Sequence, residues 1–268
     1  MAFNKAQCES TFSFHFGSQP NGLGATRSNI MRLLRSVDLM GWSTHEDSGR
    51  LDRKAFVRFA TGSTNVFSKR QHVEAEKSAV SILVDCSGSM GNDGRMGTAQ
   101  AVCIQLARVL DKSSVAYNVT GFCGGKGTDY AWTSNTLKHD LATPMERTTF
   151  IPFKTWRDSL AKASAKLGSM HSWAHDSTPD YSAITLTLED LARREEHRKI
   201  LFLLTDADGY NKVHMQHLQR VADKLGIKII AIGIGNTKVA QCFDNAQNVH
   251  SVEGLASASF NKLLKELR

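Results

Sequence analysis

The sequence predicts a doubly wound α/β fold: a mostly parallel sheet with helices on both faces, plus a small helical N-terminal extension. Three observations carry this. Five short apolar runs, rich in β-branched residues, recur after residue 78. Longer amphipathic segments alternate with them. The runs are apolar at nearly every position, which marks strands covered on both faces. Strands alternating with helices imply parallel pairing through right-handed crossovers.

The elements follow in order. Residues 1–24 are polar, contain glycine and show no period, so they are read as a loose lead-in. In 26–40, Ile30, Leu33, Leu34 and Val37 fall at helical spacing and predict an amphipathic helix. A second short helix is expected over 52–60, then a turn and a short extended piece ending near Arg70. Together, 1–75 form the extension and 76–268 the main domain. The strands are AVSILVD (79–85), VAYNVTGF (115–122), KILFLLTD (199–206), IKIIAIGIG (227–235) and a weaker NVHSV (248–252). Helices are expected near 97–111, 155–168, 180–195, 211–225 and 254–267. ERTTFIPF (146–153) is read as an antiparallel edge strand.

Composition narrows the function. The chain has 268 residues, 41% hydrophobic and 22% charged, enough for one large domain or a domain with a small N-terminal piece. Its net charge of +7 is scattered over helices, without a dense basic tract interleaved with aromatics, which argues against specific nucleic-acid binding. The five cysteines, Cys8, Cys86, Cys103, Cys123 and Cys242, form no CxxC pair. Neither a zinc cluster nor a disulfide framework is expected. The start lacks the apolar run of a signal peptide, and stretches such as 227–234 are too short to span a bilayer. A cytoplasmic protein without a membrane segment is the expectation.

Ligands of doubly wound folds sit outside the carboxyl ends of the strands. Here the first strand of the main domain ends in Asp85-Cys86-Ser87-Gly88-Ser89, and a later one in Thr205-Asp206-Ala207-Asp208-Gly209. Ser177-Thr178-Pro179 stands just before a predicted helix. Three loops thus offer only hard oxygen donors, which suits Mg²⁺, with Mn²⁺ as an alternative. Neutral hydroxyls leave the ion with net positive charge and a position that an outside carboxylate can fill. The competing reading of Asp85, Ser87 and Ser89 is a simple N-cap cluster, and Thr178 also suits the start of a helix at Pro179. Asp208 and Asp93 fit turn chemistry. His171 with His175, and His214 with His217, lack a third ligand, and Trp132, Trp156 and Trp173 read as packing residues. GGKGT (124–128) and AIGIGN (231–236) fall short of phosphate-loop and dinucleotide fingerprints. No nucleophile–base pair is readable, so catalysis by this chain alone is not expected.

DxSxS at the end of the first strand, a loop threonine and an aspartate after a later apolar strand together resemble the metal-ion-dependent adhesion site of von Willebrand factor A domains. The resemblance assigns Asp85, Ser87 and Ser89 to the first loop, Thr178 to the second and Asp206 to the third. SGRLDRKAFVRFATGSTNVFSKR (48–70), SILVDCSGSM, RKILFLLTDADG and IKIIAIGIG also resemble the C-terminal part of the T subunit of aerobic cobaltochelatase, over roughly 45–265. This likeness implies a Mg²⁺-site subunit working with a ring-forming, MoxR-type AAA+ ATPase and, in the full chelatase, with a large porphyrin-binding subunit. The long acidic N-terminal region of the bacterial T subunit has no counterpart here. Two other roles stay open: a working subunit of an ATP-dependent cobalt or magnesium chelatase in cobalamin or porphyrin biosynthesis, and a phage or other viral structural or assembly protein.

Overall fold

The computed structural model describes residues 4–17, 23–34, 42–46, 50–51, 67–70, 77–113, 115–124, 147–235, 238–257 and 261. Contacts divide the chain into a main unit, 1–34 with 77–268, and a small unit, 35–76. The small unit is a three-stranded antiparallel sheet of β1 (Trp42–Glu46), β2 (Arg50–Leu51) and β3 (Phe67–Arg70), with β3 in the middle. The helix expected over 52–60 lies outside the described residues.

The main unit opens with α1 (Lys5–Gly17) and α2 (Leu23–Leu34). It continues through β4 (Ser78–Asp85), α3 (Arg95–Asp111), β5 (Ala116–Gly124), β6 (Thr148–Lys154), α4 (Leu160–Gly168) and α5 (Asp180–Ala192). Then come β7 (Arg198–Thr205), α6 (Lys212–Lys224), β8 (Ile227–Ile234), α7 (Val239–Cys242) and β9 (Ala246–Val249). The strand order is β6-β5-β4-β7-β8-β9, parallel throughout except for the antiparallel β5–β6 edge pair. The chain leaves β4 to build one side of the sheet and returns with β7 to build the other. That reversal is the switch point, and it opens a crevice at the carboxyl ends of β4 and β7.

Strand geometry explains the continuous apolar runs. Val80, Ile82, Val84, Ile200, Phe202 and Leu204 point into one core, with Ile104 and Leu106 of α3 and Leu167 of α4. Ala79, Leu83, Leu201 and Leu203 point into the other, with Ile184 and Leu188 of α5 and Met215 and Leu218 of α6. Successive side chains alternate faces, and both faces are covered.

The N-terminal segment departs from its expected looseness. Residues 5–17 form a helix that buries Cys8 and Phe12, with Phe16 packed beside them. Those positions, four apart, share one helix face; exposed Phe14 and intervening serines blur the pattern in the sequence. Carbonyls at the end of α1 are satisfied from α3, by Gln105 Nε2 on His15 and by Arg108 Nη1 on Phe16 at 2.7 Å. Helix α2 is tied down by Thr26 Oγ1 donating to the Leu255 carbonyl (2.7 Å) and by Ser78 Oγ donating to that of Leu34 (2.6 Å).

Smaller shifts have local causes. The helix expected from 155 begins at Leu160, because Thr155 and Asp158 close a turn and Ser159 caps the helix through the Lys162 amide at 3.2 Å. The last strand is Ala246–Val249, followed by a 3₁₀ turn at Val252–Ala256, and most of 254–267 lies outside the described residues. Among the described residues, no helix is long and apolar enough to cross a membrane.

Helix α1 meets α4 at Gly168, where an added Cβ lies 1.8 Å from the Cys8 carbonyl oxygen. Gly168→Ala is therefore expected to destabilise the protein by about 1–3 kcal/mol. Urea unfolding checks this; an unchanged midpoint contradicts the close docking of α1.

Candidate functional site

Strand β4 carries Asp85 to the crevice and buries it completely. Its Oδ1 accepts the Ser87 amide at 2.9 Å, and its Oδ2 accepts the Thr205 hydroxyl at 2.7 Å. Thr205 in turn accepts the Ala207 amide at 2.8 Å, which fixes the turn at Ala207 despite its φ of 51°. One carboxylate thus ties the end of β4 to the end of β7. Ser87, which caps the 3₁₀ turn that precedes α3, and Ser89 on that turn are hydrogen-bonded to each other, with hydroxyl oxygens 3.1 Å apart. Ser87 is buried and Ser89 half-buried.

The second loop closes over the first through its backbone. The His175 amide donates to the Cys86 carbonyl (3.0 Å), and the Gly88 amide to that of Asp176 (2.9 Å), with Asp176 at a φ of 62°. Gly124, ending β5, donates to the Ser177 carbonyl at 2.7 Å. A Cβ at Gly124 would overlap the Ser177 hydroxyl and crowd its Cβ and amide at 3.1–3.2 Å, so a larger residue here requires the second loop to give way. Thr178 follows directly, half-buried, one residue ahead of Pro179 and the start of α5.

Asp206, the first residue past β7, is also fully buried. Its Oδ2 accepts Arg95 Nη1 at 2.9 Å and its Oδ1 accepts the Asp208 amide at 3.0 Å. Arg95 is the first residue of α3, and Nη2 of the same guanidinium reaches exposed Asp93 at 3.3 Å. Asp208 is exposed and pairs with Lys238 at 3.0 Å.

Electrostatics follow from burial. Desolvation, chiefly, pushes the Asp85 carboxyl up to about 6, the Asp206 carboxylate adds to the rise, and hydrogen bonds from Ser87 and Thr205 oppose it. Cys86, between Asp85 and Ser87, is buried, and its thiol is pushed well above its usual range. Among the described residues, no three His, Cys, Asp or Glu side chains gather as a metal-binding group. Any cation held here relies on hydroxyl and carbonyl oxygens beside the two carboxylates. The Ser87–Ser89 spacing of 3.1 Å is close to the roughly 3 Å between adjacent corners of an octahedron with bonds of about 2.0–2.1 Å.

Two participants had no role assigned from the sequence. Thr205 ends the strand immediately before Asp206, and its hydroxyl turns back to Asp85. Arg95 opens a helix, where a cation opposes the macrodipole; that misfit was the available signal. His214 and His217 flank the Tyr181 ring at 5.4 and 6.4 Å, and Trp156 donates to Asp190 at 3.0 Å beneath Arg194. His175 pairs with the Asp176 carboxylate at 2.9 Å. Trp132 lies outside the described residues.

Comparison with known proteins gives the family. The model described as "Cobalamin biosynthesis protein CobT VWA domain" matches residues 66–267. The chain belongs to this family of von Willebrand factor A domains. No curated protein matches it. In fold it is similar to proximal thread matrix protein 1 from the mussel byssus, at 15% identity over 72% of this chain and a TM-score of 0.50. The chain spans 47% of the length of that protein. Further likenesses are to BatB of Bacteroides thetaiotaomicron (13% identity, 71% of this chain and 98% of that one, TM-score 0.49) and to manganese-loaded TRAP of Plasmodium vivax (15%, 72% and 73%, 0.49).

Because the folded carboxyl of Asp85 titrates higher than an unfolded one, the native state binds its proton more readily. Its contribution to stability is full below about pH 4 and is lost as pH rises through about 6. In chelator, wild-type stability is expected to fall between pH 4 and 7 more steeply than that of Asp85→Asn. Thermal melts across this range check it; parallel profiles contradict it.

Proposed function

We propose that this chain is a one-metal protein-interaction module. Asp85, Ser87, Ser89, Thr178 and Asp206 hold a Mg²⁺ ion, directly or through water, and Mn²⁺ suits the same donors. The observation that carries this reading is the pair of serine hydroxyls at adjacent-corner spacing beside a buried carboxylate that has no cation of its own among the described residues. A buried charge left without a counter-charge is costly, and a divalent ion removes that cost. When bound, the ion supplies a Lewis-acidic position for an outside carboxylate. The chain's own residues position the donors and exclude water from Asp85. Membership of the cobaltochelatase T-subunit family supports a AAA+ ATPase as the partner that offers the acidic residue. The five free, buried cysteines fit the reducing cytoplasm, where we place it.

A second reading draws on the cobalamin-biosynthesis family itself. In it the chain is a non-catalytic subunit of an ATP-dependent cobalt or magnesium chelatase, in contact with a large porphyrin-binding subunit. Absorbance titration with a porphyrin and a corrin separates the two: an adaptor shifts neither spectrum.

The central test is affinity capture in Mg²⁺. Wild-type protein is expected to retain a AAA+ ATPase, and Asp85→Ala or EDTA to reduce capture at least tenfold without loss of the circular-dichroism signal. Retention by the variant and in EDTA alike rules the mechanism out.

A further inference from the structure

Arg95 stands where the local rules disfavour it. It is the first residue of the 17-residue α3, at the positive end of the helix dipole, and the first turn holds no acidic residue. Its stem crosses Gly235 at the end of β8, with Cγ, Cδ and Nε 3.6–3.8 Å from where a Cβ there would lie. The guanidinium then meets fully buried Asp206 at 2.9 Å. Another ion pair at the rim, Lys238 with Asp208, is exposed and self-neutralised. Asp93 is four-fifths exposed and solvated, and Asp176, exposed, is paired with His175.

Among the described residues, the two fully buried carboxylates at the crevice, Asp85 and Asp206, and the half-buried Arg95 guanidinium that meets one of them carry a net charge of −1. We infer, on the metal reading above, that Arg95 is a built-in counter-cation that opposes the ion and sets what the loaded site recognises. With a divalent cation bound, the net becomes +1; with a neutral residue at 95 it would be zero. The surplus positive charge makes the loaded site attract a carboxylate instead of standing electrically satisfied. The guanidinium also engages one Asp206 oxygen while the Asp208 amide engages the other. Arg95 is a positioning and specificity residue. The cost is weaker metal binding, since like charges share a buried site.

The sign of that effect tests the idea. A merely structural arginine, once removed, loosens the site and weakens metal binding; a counter-cation, once removed, strengthens it. Calorimetric titration of the full chain with MnCl₂ is expected to show Arg95→Gln and Arg95→Met binding three- to tenfold more tightly than wild type. Arg95→Lys, which keeps the charge, should stay within twofold. Acetate added to the Mn²⁺-loaded proteins should bind at least threefold more weakly to the neutral variants. Equal or weaker Mn²⁺ binding by whichever neutral variant keeps the wild-type circular dichroism overturns the inference and leaves the metal reading standing. No Mn²⁺ binding by wild type overturns both.

Discussion

The fully buried carboxylate of Asp85 is the constraint around which the crevice is organised. Burial alone makes its charge expensive, so every atom near it is arranged to offset that expense. The Thr205 hydroxyl reaches it from the neighbouring strand at 2.7 Å, and the Ser87 amide from its own loop at 2.9 Å. The first contact ties the end of β4 to that of β7, and the second fixes the start of the serine loop. Protonation relieves this unfavourable charge, which links stability and pH through one side chain, and on the proposed metal reading a bound cation would do the same.

The second carboxylate is handled differently. Asp206 is equally buried, yet it has its own cation in Arg95. The crevice is therefore asymmetric: one acid compensated within the chain, the other held only by neutral donors. That asymmetry is what the proposed metal reading rests on, since a closed ion-pair network would leave neither carboxylate without a counter-charge. It also places the unsatisfied charge on the side of the serine loop, where Gly88 and Cys86 are locked to the 175–176 segment by backbone hydrogen bonds. Rigidity there comes from main chain, so the hydroxyls are preorganised and lose little freedom when they act.

Remote parts of the main unit serve this rim by fixing the elements that carry it. Helix α3, whose first residue is Arg95, is packed along its length against the sheet and receives α1 and α2 on its outer side. Gln105 and Arg108 of α3 close the carbonyl end of α1. The N-terminal helices thus brace the helix that presents the guanidinium to Asp206.

Much of this was legible in the sequence. The doubly wound class followed from strand runs that are apolar on both faces, since alternation of side chains is a local property of an extended chain. DxSxS, Thr178 and Asp206 could be singled out because strand ends in such folds converge on the switch point. The helix at 5–17 was hidden because its apolar face is narrow and interrupted, and only packing against α3 and α4 gives it value. Thr205 and Arg95 were hidden for the same kind of reason. A threonine or arginine has no intrinsic partner, and 120 residues separate Asp85 from Thr205, 111 Arg95 from Asp206. The sequence by itself determined which residue types stand at each strand end; only tertiary structure decided which carboxylate is neutralised from within, because charge compensation acts through space and not along the chain.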